Sequence, residues 1–147
     1  MRILIADDHA VVRRGLRQIL EREELMKLLI ADDSQQVVSR LVRMAEEIAG
    51  VEIVGVAQDG AEALDLIHQA DPDVAILDFR MPRRSGLEVL KIVKSRRPAT
   101  RVLIVTNYAS SPYRESCLAA GADFFFDKSR EFEKVGETLT RLLEQCH

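Results

Sequence analysis

Apolar and polar positions alternate along the chain in blocks, with short apolar runs separated by longer stretches of helical periodicity. The apolar runs are nearly continuous and rich in valine, isoleucine and phenylalanine, which is typical of strands buried on both faces of a parallel sheet. Six runs are predicted as strands, at residues 2–6, 27–31, 51–57, 73–77, 101–106 and 123–127. The pattern therefore predicts an α/β fold.

Helical periodicity fills the stretches between the strands. Beyond residue 57, helices are predicted at residues 60–70, 86–97, 112–120 and 130–145. Asp59 is placed to cap the first of these helices, and Pro98 and Gly121 are placed to stop the second and third. The last helix carries one apolar stripe, formed by Phe132, Val135, Leu139 and Leu142. Strands alternating with such helices predict a doubly wound parallel sheet, whose functional residues collect at the C-terminal strand ends.

One part of the pattern occurs twice, because ILIADD at residues 3–8 recurs as LLIADD at residues 28–33. Each copy is a strand that ends in two carboxylates, Asp7 and Asp8 in the first and Asp32 and Asp33 in the second. Apolar residues with helical spacing follow both copies, so the repeat is a whole βα unit. The chain thus carries acidic groups for one site and a spare pair.

Polar side chains stand at the predicted C-terminal ends of four strands. Asp32 and Asp33 follow residues 27–31, and the others are Asp78, Thr106 and Lys128. Because the carboxyl ends of parallel strands meet at one edge of a sheet, we expect these side chains to lie close together. Converging carboxylates repel one another unless a cation is present, and Mg²⁺ suits a site made of oxygen ligands.

Such a set of groups can perform phosphoryl transfer by positioning and electrostatics. With a cation present, one carboxylate stays ionised and acts as a nucleophile, while a lysine and a hydroxyl contact the phosphoryl oxygens. Asp78 is the best candidate nucleophile, since Pro82 and Gly86 constrain the loop that follows it. No glycine-rich phosphate loop follows a strand, and the three histidines have no arrangement typical of Ser-His-Asp or Cys-His sites.

Each of these residues also has a purely structural interpretation. An aspartate after a strand can simply cap the next helix, a lysine can be solvated surface, and a threonine can reflect β-propensity. Five polar residues in register with four strand ends favour a common site over these separate explanations.

Composition and charge narrow the function classes. The 147 residues, 47% of them hydrophobic, are enough for one domain with a proper core. A net charge of −3 provides no general attraction to nucleic acid or to an anionic membrane. Cys117 and Cys146 lie far apart without metal-ligand spacing, and no run is as long as a membrane span or typical of a signal peptide. We expect a cytoplasmic protein without direct nucleic-acid or membrane partners.

Four segments, LLIADD, LDFRMPRRSG, VTNY and AGADFFFDKS, together resemble the receiver domain of two-component response regulators. The resemblance extends over residues 27–147 and implies a five-stranded flavodoxin-like sheet with strand order 2-1-3-4-5. We therefore predict a receiver domain at residues 26–147, preceded by a supernumerary βα unit at residues 1–25.

The resemblance implies a role for each acidic residue. Asp78 would accept a phosphoryl group from a sensor histidine kinase or a phosphotransfer protein. Asp33, Asp78 and the backbone carbonyl of Arg80 would hold Mg²⁺, with Asp32 acting largely through a bound water. The chain would then catalyse only its own phosphorylation and dephosphorylation, and would not be an enzyme in the wider sense.

The same resemblance implies how the signal is read. Lys128 would contact the phosphoryl group, and Thr106 would move toward it on activation. Phe125 stands where the family keeps its switch aromatic, although core packing explains a Phe-Phe-Phe run equally well. No output domain is recognised, so we expect a downstream protein target that binds around residues 112–120, 123–127 and 130–145.

Some residues depart from the commonest family pattern. Ser129 follows Lys128 where many receivers have proline, and Asn107 is larger than the usual residue after the conserved threonine. Arg80 and Tyr108 occupy the two positions that tune attack of water on the acyl phosphate in this family. Both are bulky, which predicts slow self-dephosphorylation.

The repeated βα unit leaves open the origin of residues 1–25 and their effect on assembly. The spacing to Asp78 favours Asp32 and Asp33 as the metal ligands and leaves Asp7 and Asp8 as the spare pair. Residues 1–25 look like the start of a different receiver, through ancient duplication or an engineered chimera. An additional strand must displace its twin, join a sheet edge or pair with another chain, which predicts a homodimer or a strand-swapped oligomer.

Two other functions are alternatives to a receiver domain. The first is a non-phosphorylated interaction or dimerisation module assembled through the duplicated βα unit. The second is a phosphohydrolase with an aspartate nucleophile, which is disfavoured because Arg80 stands where a second aspartate is needed.

Overall fold

A computed structural model describes residues 25–146 and contains one sheet of five parallel strands in this part of the chain. The strands are β1 (Met26–Ala31), β2 (Val51–Ala57), β3 (Val74–Leu77), β4 (Arg101–Thr106) and β5 (Phe124–Asp127). They are arranged in the order β2-β1-β3-β4-β5, and all neighbours are parallel. The predicted strand order 2-1-3-4-5 is confirmed, with β1 between β2 and β3.

Five helices connect or follow the strands. They are α1 (Gln35–Glu46), α2 (Gly60–Ala70), α3 (Gly86–Arg96), α4 (Ser111–Ala119) and α5 (Phe132–Cys146). Asp59 caps α2 by accepting the N–H of Glu62 at 2.8 Å, as predicted. Ser85 and Glu88 form a reciprocal capping box at the start of α3. These local signals place the helix starts at the C-terminal edge of the sheet.

The helices cover both faces of the sheet, which confirms the doubly wound fold. On one face, α2, α3 and α4 pack against strand residues such as Leu29 and Leu77. On the other face, α1 and α5 pack against residues such as Leu28 and Ile30. The predicted apolar stripe of the last helix is buried there, and it consists of Phe132, Val135, Leu139 and Leu142.

The second copy of the repeated segment forms β1, an inner strand between β2 and β3. Five of the six residues of β1 are buried, and only Lys27 is exposed. The first copy, with the predicted strand at residues 2–6 and the spare pair Asp7 and Asp8, lies outside the described residues. The supernumerary βα unit, the division of the chain at residue 26 and the strand exchange therefore stay predictions.

Two further observations concern the described part of the chain. None of the helices within residues 25–146 is both long enough and apolar enough to span a membrane. Burial raises the pKa of the Cys117 thiol to about 11, so this side chain is protonated at neutral pH. Cys117 is therefore a core residue and not a nucleophile.

Candidate functional site

The candidate site lies where the central strands end. Asp32 follows β1 directly and Asp78 follows β3 directly. The parallel register pairs Ala31 with Leu77, so both aspartates leave the sheet at the same level. Lys128 follows β5 and reaches back to the same point across 96 residues of sequence.

Three carboxylates converge at this edge. One oxygen from each of Asp32, Asp33 and Asp78 lies within 4.8 Å of the others. Asp32 and Asp78 are buried, whereas Asp33 is exposed, so the cluster opens to solvent on one side. A hard cation takes oxygen ligands of this kind and keeps several waters, for which the solvent side provides room.

One oxygen of the cluster lacks a partner within the described residues. Oδ1 of Asp78 is buried and accepts no hydrogen bond from them. A buried carboxylate oxygen without a partner carries a desolvation penalty, and such atoms call for an explanation. A divalent cation or a phosphoryl group at this atom supplies one, so the residues present fit a metal-assisted phosphoryl site.

Lys128 inserts its ammonium group between the two buried carboxylates. Its Nζ donates to Oδ2 of Asp32 at 2.8 Å and to Oδ2 of Asp78 at 3.1 Å. Burial opposes the charge, but the hydrogen bonds and attraction from both carboxylates outweigh it and raise the pKa of Lys128. Three carboxylates and one ammonium leave excess negative charge, which a divalent cation would balance.

Asp32 is held in place by a residue that sequence reasoning missed. The backbone N–H of Ser34 donates to Oδ1 of Asp32 at 2.8 Å, while the Ser34 hydroxyl caps α1. Burial and repulsion from Asp78 raise the pKa of Asp32, against the lowering effect of Lys128 and of this N–H. The available signal was a serine directly before a helical pattern, which also predicts an N-cap.

Thr106 is buried at the end of β4, next to Lys128 at the end of β5. Its carbonyl oxygen accepts the N–H of Lys128 at 2.9 Å, which continues the β4–β5 ladder. Its hydroxyl oxygen accepts the N–H of Tyr108 at 3.1 Å, so the hydroxyl is engaged by its own loop. The predicted movement of Thr106 toward the phosphoryl group would begin from this arrangement.

Phe125 is almost fully buried in the core beneath α4. The guanidinium carbon of Arg114 lies 5.4 Å from the centroid of its ring. Core packing therefore describes the position of Phe125 in this structure, and its role as a switch stays a prediction.

Two contacts join loops that are far apart in the sequence. The guanidinium carbon of Arg80 lies 4.6 Å from the ring centroid of Tyr108, which connects the β3–α3 loop to the β4–α4 loop. The hydroxyl of Ser129 donates to Oδ1 of Asn107 at 3.1 Å, which connects the β4–α4 loop to the β5–α5 turn. All four residues were noted from the sequence, but their pairing was not predicted.

Comparison with known proteins identifies relatives of this chain. The family model of the response regulator receiver domain matches residues 28–140. A Pseudomonas aeruginosa protein named as a transcriptional regulator is 38% identical over 134 residues, which cover 91% of this chain and 52% of that protein. A protein-glutamate methylesterase/protein-glutamine glutaminase of Methanospirillum hungatei is 36% identical over 115 residues, 77% of this chain and 34% of that protein. The chain spans about half the length of the first of these relatives and a third of the second.

A solved structure agrees with the sequence relatives. The signal receiver domain of the response regulator NarL from Mycobacterium tuberculosis matches with a TM-score of 0.75 and 31% identity. The match covers 82% of this chain and 97% of that domain. The chain therefore belongs to the response regulator receiver domain family of two-component signalling.

Proposed function

We propose that Asp78 accepts a phosphoryl group from the phosphohistidine of a sensor histidine kinase or a phosphotransfer protein. The observation that carries this proposal is the convergence of Asp32, Asp33 and Asp78 within 4.8 Å, with Lys128 bridging the two buried members. Family membership supports it, because receiver domains are the phosphoacceptors of two-component systems.

The residues can divide the chemistry among them. Attack by an oxygen of Asp78 on phosphorus forms an O–P bond, while the N–P bond of phosphohistidine breaks and its electron pair returns to the imidazole. Asp33, Asp78 and the carbonyl of Arg80 would hold Mg²⁺, with Asp32 acting through a water. When bound, the ion supplies positive charge for the transferring group. Lys128 already lies 3.1 Å from Asp78 and would pair with a phosphoryl oxygen.

The signal is proposed to leave through a protein–protein surface. Thr106 would exchange the N–H of Tyr108 for a phosphoryl oxygen, and Phe125 would respond to that movement. The surface around α4, β5 and α5 would then bind a downstream protein target, without direct contact to nucleic acid.

Intact-mass measurement with acetyl phosphate and Mg²⁺ tests the proposed function. The wild-type chain is expected to gain one phosphoryl group, and both Asp78→Asn and Asp33→Asn are expected to lose this gain. Asp8→Asn is the matched control from the spare pair and is expected to be phosphorylated like wild type. Phosphorylation that persists in Asp78→Asn would contradict the proposal. Absence of uptake by wild type would favour the non-phosphorylated interaction module instead.

The contact between Arg80 and Tyr108 bears on the lifetime of the acyl phosphate. The guanidinium of Arg80 lies over the ring of Tyr108 and restricts both side chains, and we expect this pair to hinder the approach of water to the phosphoryl group. We expect slow self-dephosphorylation, and Tyr108→Ala is expected to shorten the half-life of the phosphorylated chain by roughly tenfold, or ~1.4 kcal/mol in barrier.

Loss of the mass-shifted species after removal of the phosphodonor measures this half-life. Tyr113→Ala is the matched control, because the Tyr113 ring meets Phe79 at a tilt and Tyr108 edge-on, and its removal leaves the contact between Arg80 and Tyr108 in place. Equal half-lives for Tyr108→Ala and wild type would show that the stacked pair does not protect the phosphate.

A further inference from the structure

The loop between β3 and α3 contains one strained residue that the phosphoacceptor mechanism does not use. Arg83 has a φ of +68°, in the left-handed region that side chains other than glycine rarely adopt. The N–H of Arg84 donates to the carbonyl of Pro82 at 2.7 Å, which closes a three-residue turn centred on Arg83. Turns of this kind with positive φ are rare and strained, and they persist only where surrounding contacts hold them.

The surrounding contacts come from the loop between β2 and α2. The guanidinium of Arg83 lies on the carboxylate of Asp59, with Nη2 2.9 Å from Oδ2 and 3.1 Å from Oδ1. The N–H of Gly60 donates to the carbonyl of Pro82 at 3.2 Å. A Cβ at Gly60 would lie 2.1 Å from the carbonyl oxygen of Arg84, so the two backbones meet without room for a side chain. The strained turn is thus clamped against the start of α2.

Asp59 is well suited to hold the other side of this clamp. It caps α2, and the N–H of Glu62, followed by the guanidinium of Arg83, lowers the pKa of its carboxyl. The carboxylate is fixed by the helix start, whereas the Arg83 side chain is 64% exposed. An exposed ion pair contributes little to the free energy of unfolding, so the overall fold does not depend on it.

The segment between Asp78 and the clamped turn contains Arg80, whose carbonyl is the proposed backbone ligand of the metal. The segment from Phe79 to Pro82 is tied at one end, where the N–H of Gly86 donates to the carbonyl of Phe79 at 2.8 Å. At the other end it is tied at Pro82 by Gly60. A ligand must be held within about 0.5 Å of its productive position to be effective.

We propose that Asp59 and Arg83 are positioning residues for the magnesium site, which hold the strained turn that sets the Arg80 carbonyl. This inference rests on the proposed function, because it needs a metal at Asp78. Neither residue touches the metal, and both act through the backbone of the β3–α3 loop.

The direction of the change in Mg²⁺ affinity distinguishes a positioning role of Arg83 from a purely electrostatic one. Removing a positive charge near an acidic site strengthens binding of a cation, so charge loss alone predicts tighter Mg²⁺ binding for Arg83→Ala. Loss of the contact that holds the strained turn predicts weaker Mg²⁺ binding for the same variant. Arg84→Ala is the matched control, since Arg84 is the neighbouring cation of the same loop and pairs with Glu88 at 3.8 Å instead of with Asp59.

Titration calorimetry of the full chain with Mg²⁺ tests the inference. Arg83→Ala is expected to raise the Kd for Mg²⁺ by about tenfold, the low end of the effect of removing outer contacts at metal sites. Arg84→Ala is expected to bind as tightly as wild type or more tightly. Arg83→Gly is expected to lose less affinity than Arg83→Ala, because glycine adopts positive φ without strain.

Two further measurements exclude a merely structural role. The Mg²⁺ concentration for half-maximal phosphorylation by acetyl phosphate is expected to rise in Arg83→Ala, while the rate at saturating Mg²⁺ stays within about twofold of wild type, because the chemical groups are unchanged. The melting temperature of the metal-free chain is expected to change little. A lowered melting temperature with unchanged Mg²⁺ affinity would overturn the inference, and so would tighter binding by Arg83→Ala.

The outcomes also separate this inference from the proposed function. If wild type binds Mg²⁺ and Asp78→Asn does not, but Arg83→Ala binds like wild type, the positioning role alone is wrong. If wild type binds no Mg²⁺ at all, the metal site and the positioning role are both wrong.

Discussion

Replacing Lys128 with methionine is expected to lower the free energy of unfolding of the metal-free chain by about 3 kcal/mol. Lys128 neutralises part of the charge on Asp32 and Asp78, and the side chains of all three residues are less than 10% exposed. Methionine fills similar volume but leaves both carboxylates buried without their cation. The loss is limited because one carboxylate can take up a proton.

Mg²⁺ is expected to stabilise Lys128→Met more than it stabilises wild type. With the ammonium group absent, the acidic cluster carries more negative charge and binds a divalent cation more tightly. Phosphorylation is nevertheless expected to slow by about a hundredfold, because one preorganised charge that faces the transferring phosphoryl group is lost. Denaturant melts with and without Mg²⁺, together with intact-mass kinetics, measure both effects.

Lys134→Met is the matched control for this substitution. Lys134 is 59% exposed and pairs with Glu131 on the surface of α5, so its loss is expected to change stability by less than about 0.5 kcal/mol. A Lys128→Met chain that melts like wild type in the absence of metal would show that the buried ion pairs are not as the structure has them.

The contribution of Lys128 to stability also has a defined pH dependence. Its pKa is raised above the value of 10.5 for an unfolded lysine, so the folded state holds the proton more tightly. The stabilisation is fully present below pH 10.5 and is lost as the pH rises through the folded pKa. The part of the stability that comes from the Lys128 charge itself is therefore expected to shrink only in strong alkali, as the folded lysine loses its proton.

Gly86→Ala is expected to have the second large effect. A Cβ at this position would lie 2.0 Å from the carbonyl oxygen of Asp78 and 3.1 Å from Cα of Phe79. Both are backbone atoms, so neither can move aside as a flexible side chain would. We expect a loss of about 3 kcal/mol in the free energy of unfolding, at the upper end of overpacking costs.

The same substitution is expected to slow phosphorylation by about a hundredfold. Relief of the clash would displace Asp78, and a displacement of a reacting group by about 1 Å can lower the reaction rate by that factor. Gly136→Ala in α5 is the matched control. There, the nearest atoms to a Cβ are Sδ and Cγ of Met44, at 3.2 and 3.3 Å, and this flexible side chain can yield. An added methyl group also favours the helix, so stability is expected to stay within about 1 kcal/mol of wild type. Normal phosphorylation of Gly86→Ala would contradict the close approach at Asp78.

Much of the fold was predictable because its signals are local. The predicted strands at residues 51–57 and 101–106 match β2 and β4 residue for residue, since continuous apolar runs mark buried parallel strands. The start of α2 was predicted from Asp59, which caps the helix through its own side chain. A helix cap involves neighbours three residues apart, so it is readable without knowledge of the fold.

The grouping of the site residues was also predictable, but their contacts were not. Strand ends in a parallel sheet coincide, which is sufficient to bring Asp32, Asp78 and Lys128 together. The insertion of Lys128 between the two carboxylates, and the buried oxygen of Asp78 without a partner, depend on side-chain conformations set by packing.

Other contacts join residues whose local sequence contains no sign of them. Arg83, which has a positive φ, forms an ion pair with Asp59, 24 residues earlier in the chain. The hydrogen bond between Asn107 and Ser129 spans 22 residues and connects two departures from the family pattern. Contacts of this kind form only when the loops are folded next to each other. Apolar periodicity and helix-capping residues are local signals, so they do not predict which loops become neighbours.

The sequence by itself determined the alternation of strands and helices, the parallel sheet and the residues at the strand ends, because apolar periodicity and caps act over a few neighbours. Its apolar pattern did not distinguish the two copies of the repeated segment, whereas the spacing to Asp78 favoured the second copy. Tertiary structure decided that Met26–Ala31 pairs with β2 and β3, and it decided how charges share the buried site. The physical reason is that strand pairing and ion pairing depend on distances between residues that only the folded chain brings together.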